Sequence, residues 1–291
     1  MPTLRGLRRR GVPPEAIRLF VERTGVSKAD NNIDYSVLED CVRERLDAEA
    51  PRAMAVLEPL KVTVTTWPEG EVDMLEGRMH PKLPELGTRT LPFSRTLLIE
   101  RSDFMENPPA KYFRLRPGGE VRLRFGYVLR CDEVLKDDEG RVTELRCSHL
   151  PETRQGAGKK VKGIIHWVSA EHAARATVNL YDRLFTAPAP GAEHADGDFL
   201  RDVNPDSLSV RRDCAIEPYV ATAAPGTRLQ FERTGYFVVA DEAEEGGGGL
   251  VMNRIVTLRD TWAKQAASEQ PQSQKPKQQR RRRGSGAKPA A

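Results

Sequence analysis

The chain offers more cationic and aromatic chemistry than acid–base or metal chemistry. Arg8-Arg9-Arg10 follows Arg5 near the start, and clustered arginines release counterions from a polyanion. Read alone, such a run is a solvated face. Arg122 and Arg124 alternate in Glu120-Val-Arg-Leu-Arg-Phe125, which places two guanidinium groups side by side on one strand face. A guanidinium fits a phosphate or a base edge in bidentate fashion. Tyr112, Phe113 and Arg114 lie just before that strand; the rings either stack unpaired bases or fill a barrel.

Other chemistry fails on spacing. Gly156-Ala-Gly-Lys-Lys160 resembles part of a phosphate loop, but Thr153 stands where the first Gly is needed and Lys160 where Ser or Thr is needed. It reads as a basic hairpin end. No H-E-x-x-H, G-x-S-x-G or G-x-G-x-x-G is present, and His166 sits in an apolar run as a core histidine. Cys41, Cys131, Cys147 and Cys214 form no C-x-x-C pair, so no metal site is expected and the four read as reduced, buried thiols.

These residues need elements to position them. The first fifty residues read as helical: Pro13-Pro14 opens a run with Ile17, Phe20 and Val21 on one face, closed by Gly25. Val37, Leu38, Cys41, Val42 and Leu46 mark another helix, capped by Asp34 or Ser36, and Ser27 with Asp30 forms a capping box between the two. After Ala50-Pro51-Arg52 the texture becomes β-rich. Short alternating runs cover 60–66, 95–100, 120–131, 142–147, 159–168, 176–181, 228–239 and 250–258, with a hairpin turn at Asp138-Glu-Gly140. Such spacing points to antiparallel barrels or sandwiches.

Length gives a prior of two domains. The net charge of +4 conceals an asymmetry: residues 270–291 carry seven basic residues and no acid, leaving −3 for the rest. Hydrophobic content of 38% against 30% charged leaves room for modest cores only. The tail beyond 264 reads as disordered, and its four consecutive arginines as an RNA-binding arm or an address signal. No apolar run reaches membrane-span length, and the start has no secretory signal, so a cytoplasmic location without membrane contact is expected.

At a further level the chain resembles the C-terminal portion of the glutaminyl-tRNA synthetases, class I aminoacyl-tRNA synthetases. The resemblance is carried by Met1-Pro-Thr with Leu7-Arg-Arg-Arg-Gly11, Ala50-Pro-Arg-Ala-Met-Ala-Val56, Val161-Lys-Gly-Ile-Ile-His-Trp-Val-Ser169, Leu180-Tyr-Asp-Arg-Leu-Phe185, Gln230-Phe-Glu-Arg-Thr-Gly-Tyr-Phe237 and Leu258-Arg-Asp-Thr-Trp-Ala-Lys264. They occur in family order. Glutamyl-tRNA synthetases of eukaryotic type resemble the first third as well but match the last two segments less closely.

The resemblance implies a mainly β chain with an N-terminal helical segment and two antiparallel β-barrels of the kind in ribosomal protein L25. The helical connecting subdomain would span 1–50, the proximal barrel 51–97 and 182–264, the distal barrel 98–181, and the basic tail 265–291. It implies binding of a glutamine tRNA through its anticodon, as part of an enzyme that attaches glutamine to tRNA with ATP, in a chain expected to be monomeric. The family's H-I-G-H-like and M-S-K signatures, which bind ATP, do not occur. No cofactor is therefore expected in this chain, ATP and magnesium belong to an upstream catalytic domain, and the chain is expected to be inactive alone. A truncated gene, a split gene or an excised fragment would each give such a sequence. Alternatives are a stand-alone or trans-acting RNA-binding module and the equivalent part of a glutamyl enzyme.

Residue by residue, the resemblance carries reading of the middle anticodon base, uracil, onto Arg52, Gln230 and Arg233. It carries the third base onto Arg114, and the first base with its phosphate onto Arg122 and Arg124. Lys111 departs from the Gln of many relatives, which favours a phosphate contact there; Arg8, Arg9 and Arg10 are further candidates for phosphate. Read alone, Arg52 is a surface ion pair between a helix and a strand.

Overall fold

The computed structural model describes residues 3–28, 32–240 and 249–260. Three helices open the chain: α1 (Leu4–Arg10), α2 (Pro14–Thr24) and α3 (Tyr35–Glu49). Thr3 caps α1 by accepting the Gly6 N–H, and Asp34 caps α3 by accepting from Ser36 N–H. Pro14 occupies the first turn of α2, where its missing N–H costs nothing. The Ser27–Asp30 capping box and the basic tail lie outside the described residues.

Sixteen strands follow: β1 (Arg52–Ala53), β2 (Ala55–Val56), β3 (Pro59–Val64), β4 (Asp73–Arg78), β5 (Thr88–Phe93), β6 (Thr96–Glu100), β7 (Glu120–Leu123), β8 (Val128–Lys136), β9 (Val142–Leu150), β10 (Ile164–Ile165), β11 (Trp167–Ser169), β12 (Ala174–Tyr181), β13 (Leu208–Ile216), β14 (Arg228–Phe231), β15 (Gly235–Val239) and β16 (Leu250–Thr257). They form two seven-stranded sheets and the β4–β5 hairpin. The first sheet, hereafter barrel A, runs β1-β14-β15-β16-β12-β13-β2; the second, barrel B, runs β10-β7-β8-β9-β3-β6-β11.

Both sheets close by the same device. The two edge strands of barrel A, β1 and β2, are one stretch of chain broken only at Met54. Those of barrel B, β10 and β11, are one stretch broken only at His166. Along each order the pairings run parallel, antiparallel, antiparallel, parallel, antiparallel, antiparallel. The barrels are thus two copies of one topology, mostly but not wholly antiparallel. In barrel A the closing strand comes first in the chain, and in barrel B it comes last, so the copies are circularly permuted.

Sheet membership changes at 57–58 and again at 170–173, whereas the sequence reading divided the barrels at 97/98 and 181/182. Strand β3 pairs with β6 and β9, and β12 pairs with β13 and β16. Alternation reveals a strand but not its partner, so pattern alone cannot assign a strand to a sheet. A second difference concerns 120–131. This is not one strand but the β7–β8 hairpin, turned at Phe125 with φ of 61°. Arg122 and Arg124 therefore do not share a strand face.

The helices pack on the outside of barrel A. Leu7, Val12, Ala16, Leu38, Val42 and Leu46 bury against Tyr236, Val238, Ile255 and Val256. Gly11 ends α1 with φ of 94°, and a Cβ there would lie 2.6 Å from Val238 Cγ1, so only glycine permits this approach. Arg10 fastens the contact by donating to the carbonyls of Tyr181, Asp182 and Arg254. The four cysteines are free and buried, as read from their spacing.

Candidate nucleic-acid interface

The parallel pairing of β1 with β14 sets Arg52 directly opposite Gln230. Arg52 is buried, donating to the Ala50 carbonyl at 3.0 Å and to the Asp47 carboxylate at 2.8 Å. The ion pair between helix and strand is therefore present, with the guanidinium buried and the Asp47 carboxylate 48% exposed at the surface. Partial burial opposes ionisation of Asp47, yet Lys82 and Arg52 outweigh it and hold the carboxyl below its usual range. Gln230 is half-buried, and its Oε1 is buried without a hydrogen-bond partner. An unpaired buried carbonyl costs roughly 1–3 kcal/mol unless something donates to it, so this atom marks a position suited to a ligand's N–H.

Three residues on, β14 turns at Arg233, whose φ of 69° is unusual for a residue bearing a Cβ. This turn carries Arg233 across to the second barrel, where it donates twice to the Asp103 carboxylate, both at 2.6 Å. Arg233 also lies 3.2 Å from His166 Nδ1. Arg114 Nε approaches the same Asp103 at 3.3 Å, and Arg114 donates to the Ser102 carbonyl at 2.9 Å. Two arginines predicted to read different bases are thereby brought together on one buried carboxylate. Their exposed edges retain donors, since Arg114 and Arg233 remain 42% and 32% exposed in their side chains. Burial pushes the neighbouring Tyr112 hydroxyl above its ordinary value.

Between these clusters runs a chain of ion pairs. Arg124 Nε sits 2.8 Å from Glu232, with its guanidinium 4.6 Å from the centre of the Phe125 ring. Glu232 also meets Arg89 at 3.3 Å, and Arg89 pairs with Glu217 at 2.6 Å with both side chains 2% exposed. Burial pushes the Glu217 carboxyl up to about 7 despite Arg89. Arg89 further donates to the Arg78 carbonyl. This network ties the β4–β5 hairpin to the β14 turn and holds that turn in place.

The remaining predicted residues lie elsewhere. Arg122 donates to the carbonyls of Thr153 at 2.8 Å, Ala157 at 3.0 Å and Lys159 at 2.7 Å, committing its donors to backbone. Lys111 is exposed and makes no ion pair among the described residues. Arg8 and Arg9 are exposed on α1, while Arg10 is spent on barrel A. Sequence reasoning missed Asp103, Glu232 and Arg89, and read His166 only as a core residue. An Asp–Arg pair separated by 130 positions leaves no local pattern. The glycine two residues after Arg233 was the one available sign of the turn that aims it.

Among the described residues no group of His, Cys, Asp and Glu is placed to hold a metal ion, and no helix is long and apolar enough to cross a membrane. The interface is thus a surface of arginine, amide and aromatic groups on two joined barrels, which suits unpaired bases and their phosphates.

Comparison with known proteins agrees with this chemistry. Residues 50–150 and 164–240 each match a family described as tRNA synthetases class I (E and Q), anti-codon binding domain. The chain is 51% identical over 267 residues to the glutamine–tRNA ligase of Rhodopirellula baltica, covering 91% of this chain and 44% of that protein. It is 52% identical over 264 residues to that of Pseudomonas putida, covering 90% and 46%, and 52% identical over 268 residues to that of Cupriavidus metallidurans, covering 91% and 45%. The chain therefore spans somewhat less than half the length of these relatives. With two adjoining matches across both barrels, it belongs to the anticodon-binding domain family of the class I glutamate and glutamine tRNA synthetases.

Proposed function

We propose that this chain binds the anticodon loop of a glutamine tRNA and supplies the anticodon-reading part of a glutamine–tRNA ligase. The observation that carries the reading is the buried, unpartnered Gln230 Oε1 beside Arg52. An unstacked uracil presents an N3–H donor flanked by two carbonyl acceptors. Gln230 offers one acceptor and two donors, so it complements that edge and disfavours a cytosine, whose N3 is an acceptor, while Arg52, bonded to Asp47 and the Ala50 carbonyl, supports it from behind. Arg233 and Arg114, aimed by Asp103, supply donors to the neighbouring base and phosphate. Arg124 is set beside them by Glu232, and Lys111, Arg8 and Arg9 provide looser backbone attraction. Arg122 acts from behind the surface, through the loop it holds.

In this reading the chain works as a monomer, and the chemistry of glutamine activation with ATP and magnesium lies with a separate catalytic domain. Purified alone, it gives no ATP–pyrophosphate exchange. The direct test is binding of glutamine tRNA against a variant with an altered middle anticodon base, at two salt concentrations. A specific reader loses about 1–3 kcal/mol on that change, and Arg52→Ala removes most of the difference. Equal affinity for both RNAs, with salt dependence alone, would show a merely basic surface.

A further inference from the structure

The duplicated topology provides an internal comparison. Register places Gln230 opposite Arg52 in barrel A and Arg122 opposite Ile164 in barrel B, so residues 230 and 122 are equivalent. Barrel A has an unpaired buried acceptor at that position. Barrel B has a guanidinium whose donors are already spent on the carbonyls of Thr153, Ala157 and Lys159. To read a base, this guanidinium would have to give up the bonds that hold the loop.

Those three carbonyls define a loop that leads straight to Lys160, Lys162 and β10. Gly158 in that loop adopts φ of 62°, and a Cβ there would lie 2.7 Å from the Glu152 carbonyl oxygen. The Arg122 backbone N–H donates to Gly163 at 3.0 Å, fixing where the loop rejoins the barrel. A Cβ on Gly163 would collide with the Phe113 carbonyl oxygen, so the 111–114 segment lies tightly against it. The outcome is a basic surface around one exposed ring. Phe113 is 52% exposed, and the Lys162 ammonium stands 5.4 Å from its ring centre. Lys111 and Lys160 are exposed and make no ion pair among the described residues. A large exposed ring among unpaired cations has no packing explanation here, and it is the composition of a stacking platform for single-stranded RNA.

We propose that Arg122 is a positioning residue that folds the 153–159 loop, and that Phe113 with Lys162 and Lys111 forms the RNA-contacting platform of barrel B, stacking one unpaired base and holding its phosphates. The proposal rests on the RNA-binding reading above and adds to it the residues that meet the RNA on this barrel.

The test uses the full 291-residue chain and a labelled glutamine tRNA, with circular dichroism to confirm folding of each variant. Phe113→Ala should weaken binding about tenfold while Phe113→Trp retains it. Lys162→Ala and Lys111→Ala should each reduce the salt slope by about 0.7, the single-strand value per phosphate contact. Arg122→Ala should speed amide exchange across 156–162, and its effect on binding should not add to that of Lys162→Ala. Should Arg122→Ala unfold the chain, Arg122→Lys keeps the charge, loses the fork and gives the same two readouts. Wild-type discrimination between anticodons together with unchanged binding by Phe113→Ala would remove the platform and leave the anticodon reading standing. Arg122→Ala reducing the salt slope without altering amide exchange would make Arg122 a direct RNA contact and overturn its positioning role. Absence of anticodon discrimination in the wild type would defeat the underlying reading instead.

Discussion

Replacing Glu217 by Gln should flatten the pH dependence of this chain's stability between about pH 4.5 and pH 7. Glu217 lies at the seam of the two barrels, 2.6 Å from Arg89 and accepting the Met54 N–H at 2.9 Å. Enclosure in the protein opposes its charge more strongly than these partners favour it, and its carboxyl is pushed from 4.5 up to about 7. An acid whose folded value is raised is protonated in the folded state at pH values where the unfolded chain has released the proton. Its contribution is complete below about 4.5 and is lost as pH rises through about 7. A shift of this size corresponds to about 3 kcal/mol. The Gln side chain keeps an acceptor for Met54 but cannot titrate, so the loss disappears. Urea unfolding followed by tryptophan fluorescence, at several pH values for both proteins, isolates Glu217 as the difference between the curves, because other groups titrate alike in each. Two curves that stay parallel across this range would refute the reasoning. They would mean that Arg89 keeps Glu217 charged throughout and that the seam is an ordinary ion pair.

Two other substitutions probe the same framework. Gly11→Ala places a Cβ 2.6 Å from Val238 Cγ1 at φ of 94°, and thermal melting should show a loss of about 1–3 kcal/mol. An unchanged melting temperature would mean that α1 can shift on barrel A without cost. Asp103→Asn removes one of the two acceptors that hold Arg233 at 2.6 Å, and denaturant titration should register a loss of about 2–4 kcal/mol. Wild-type stability in this variant would show that the turn holds Arg233 without the carboxylate.

Local chemistry in the sequence was legible where local physics decides the outcome. Pro14 in the first turn of α2, the Asp34 cap and the apolar face of α3 needed nothing beyond neighbours in the chain. The hairpin at Asp138-Glu-Gly140 was equally plain, since Gly140 takes φ of 78°. The hidden features all depend on distant partners or unusual backbone. Phe125 continues the apolar alternation of β7, so the pattern runs on through a residue that in fact turns the chain. His166 is buried as its apolar neighbours suggest, but its Nδ1 faces Arg233 from another barrel. Parallel pairing of β1 with β14 joins residues almost 180 positions apart, and alternation carries no information about such a partner. The family resemblance supplied Arg52, Gln230 and Arg233 together, yet not the Asp103 carboxylate that aims the last of them.

The two barrels show how one scaffold can carry different chemistry at matching positions. Position 230 is Gln in barrel A and its counterpart 122 is Arg in barrel B; both sit beside the broken closing strand. The turns that follow are equivalent too, since Gln230 pairs with Tyr236 and Arg122 with Val128, and each turn holds a non-glycine residue in the left-handed region. In barrel A that residue is Arg233, which extends to Asp103; in barrel B it is Phe125, which lies beneath Arg124 and near Arg89. The breaks in the closing strands diverge likewise. Met54 contributes only backbone, donating its N–H to the Glu217 carboxylate and accepting the Glu217 N–H at its carbonyl, whereas His166 adds an imidazole beside Arg233. Backbone topology therefore fixes where a side chain can reach the shared surface, and the residue placed there decides whether it leaves an acceptor unpaired, braces a loop or joins the two barrels. On this logic an exchange between the equivalent positions, Gln230→Arg, fills the unpaired acceptor site with a donor. It should abolish discrimination at the middle base while leaving barrel A folded, a pairing of outcomes that tRNA titration and circular dichroism measure together. Loss of fold would mean instead that position 230 is structural and that its orphaned oxygen is no reading group.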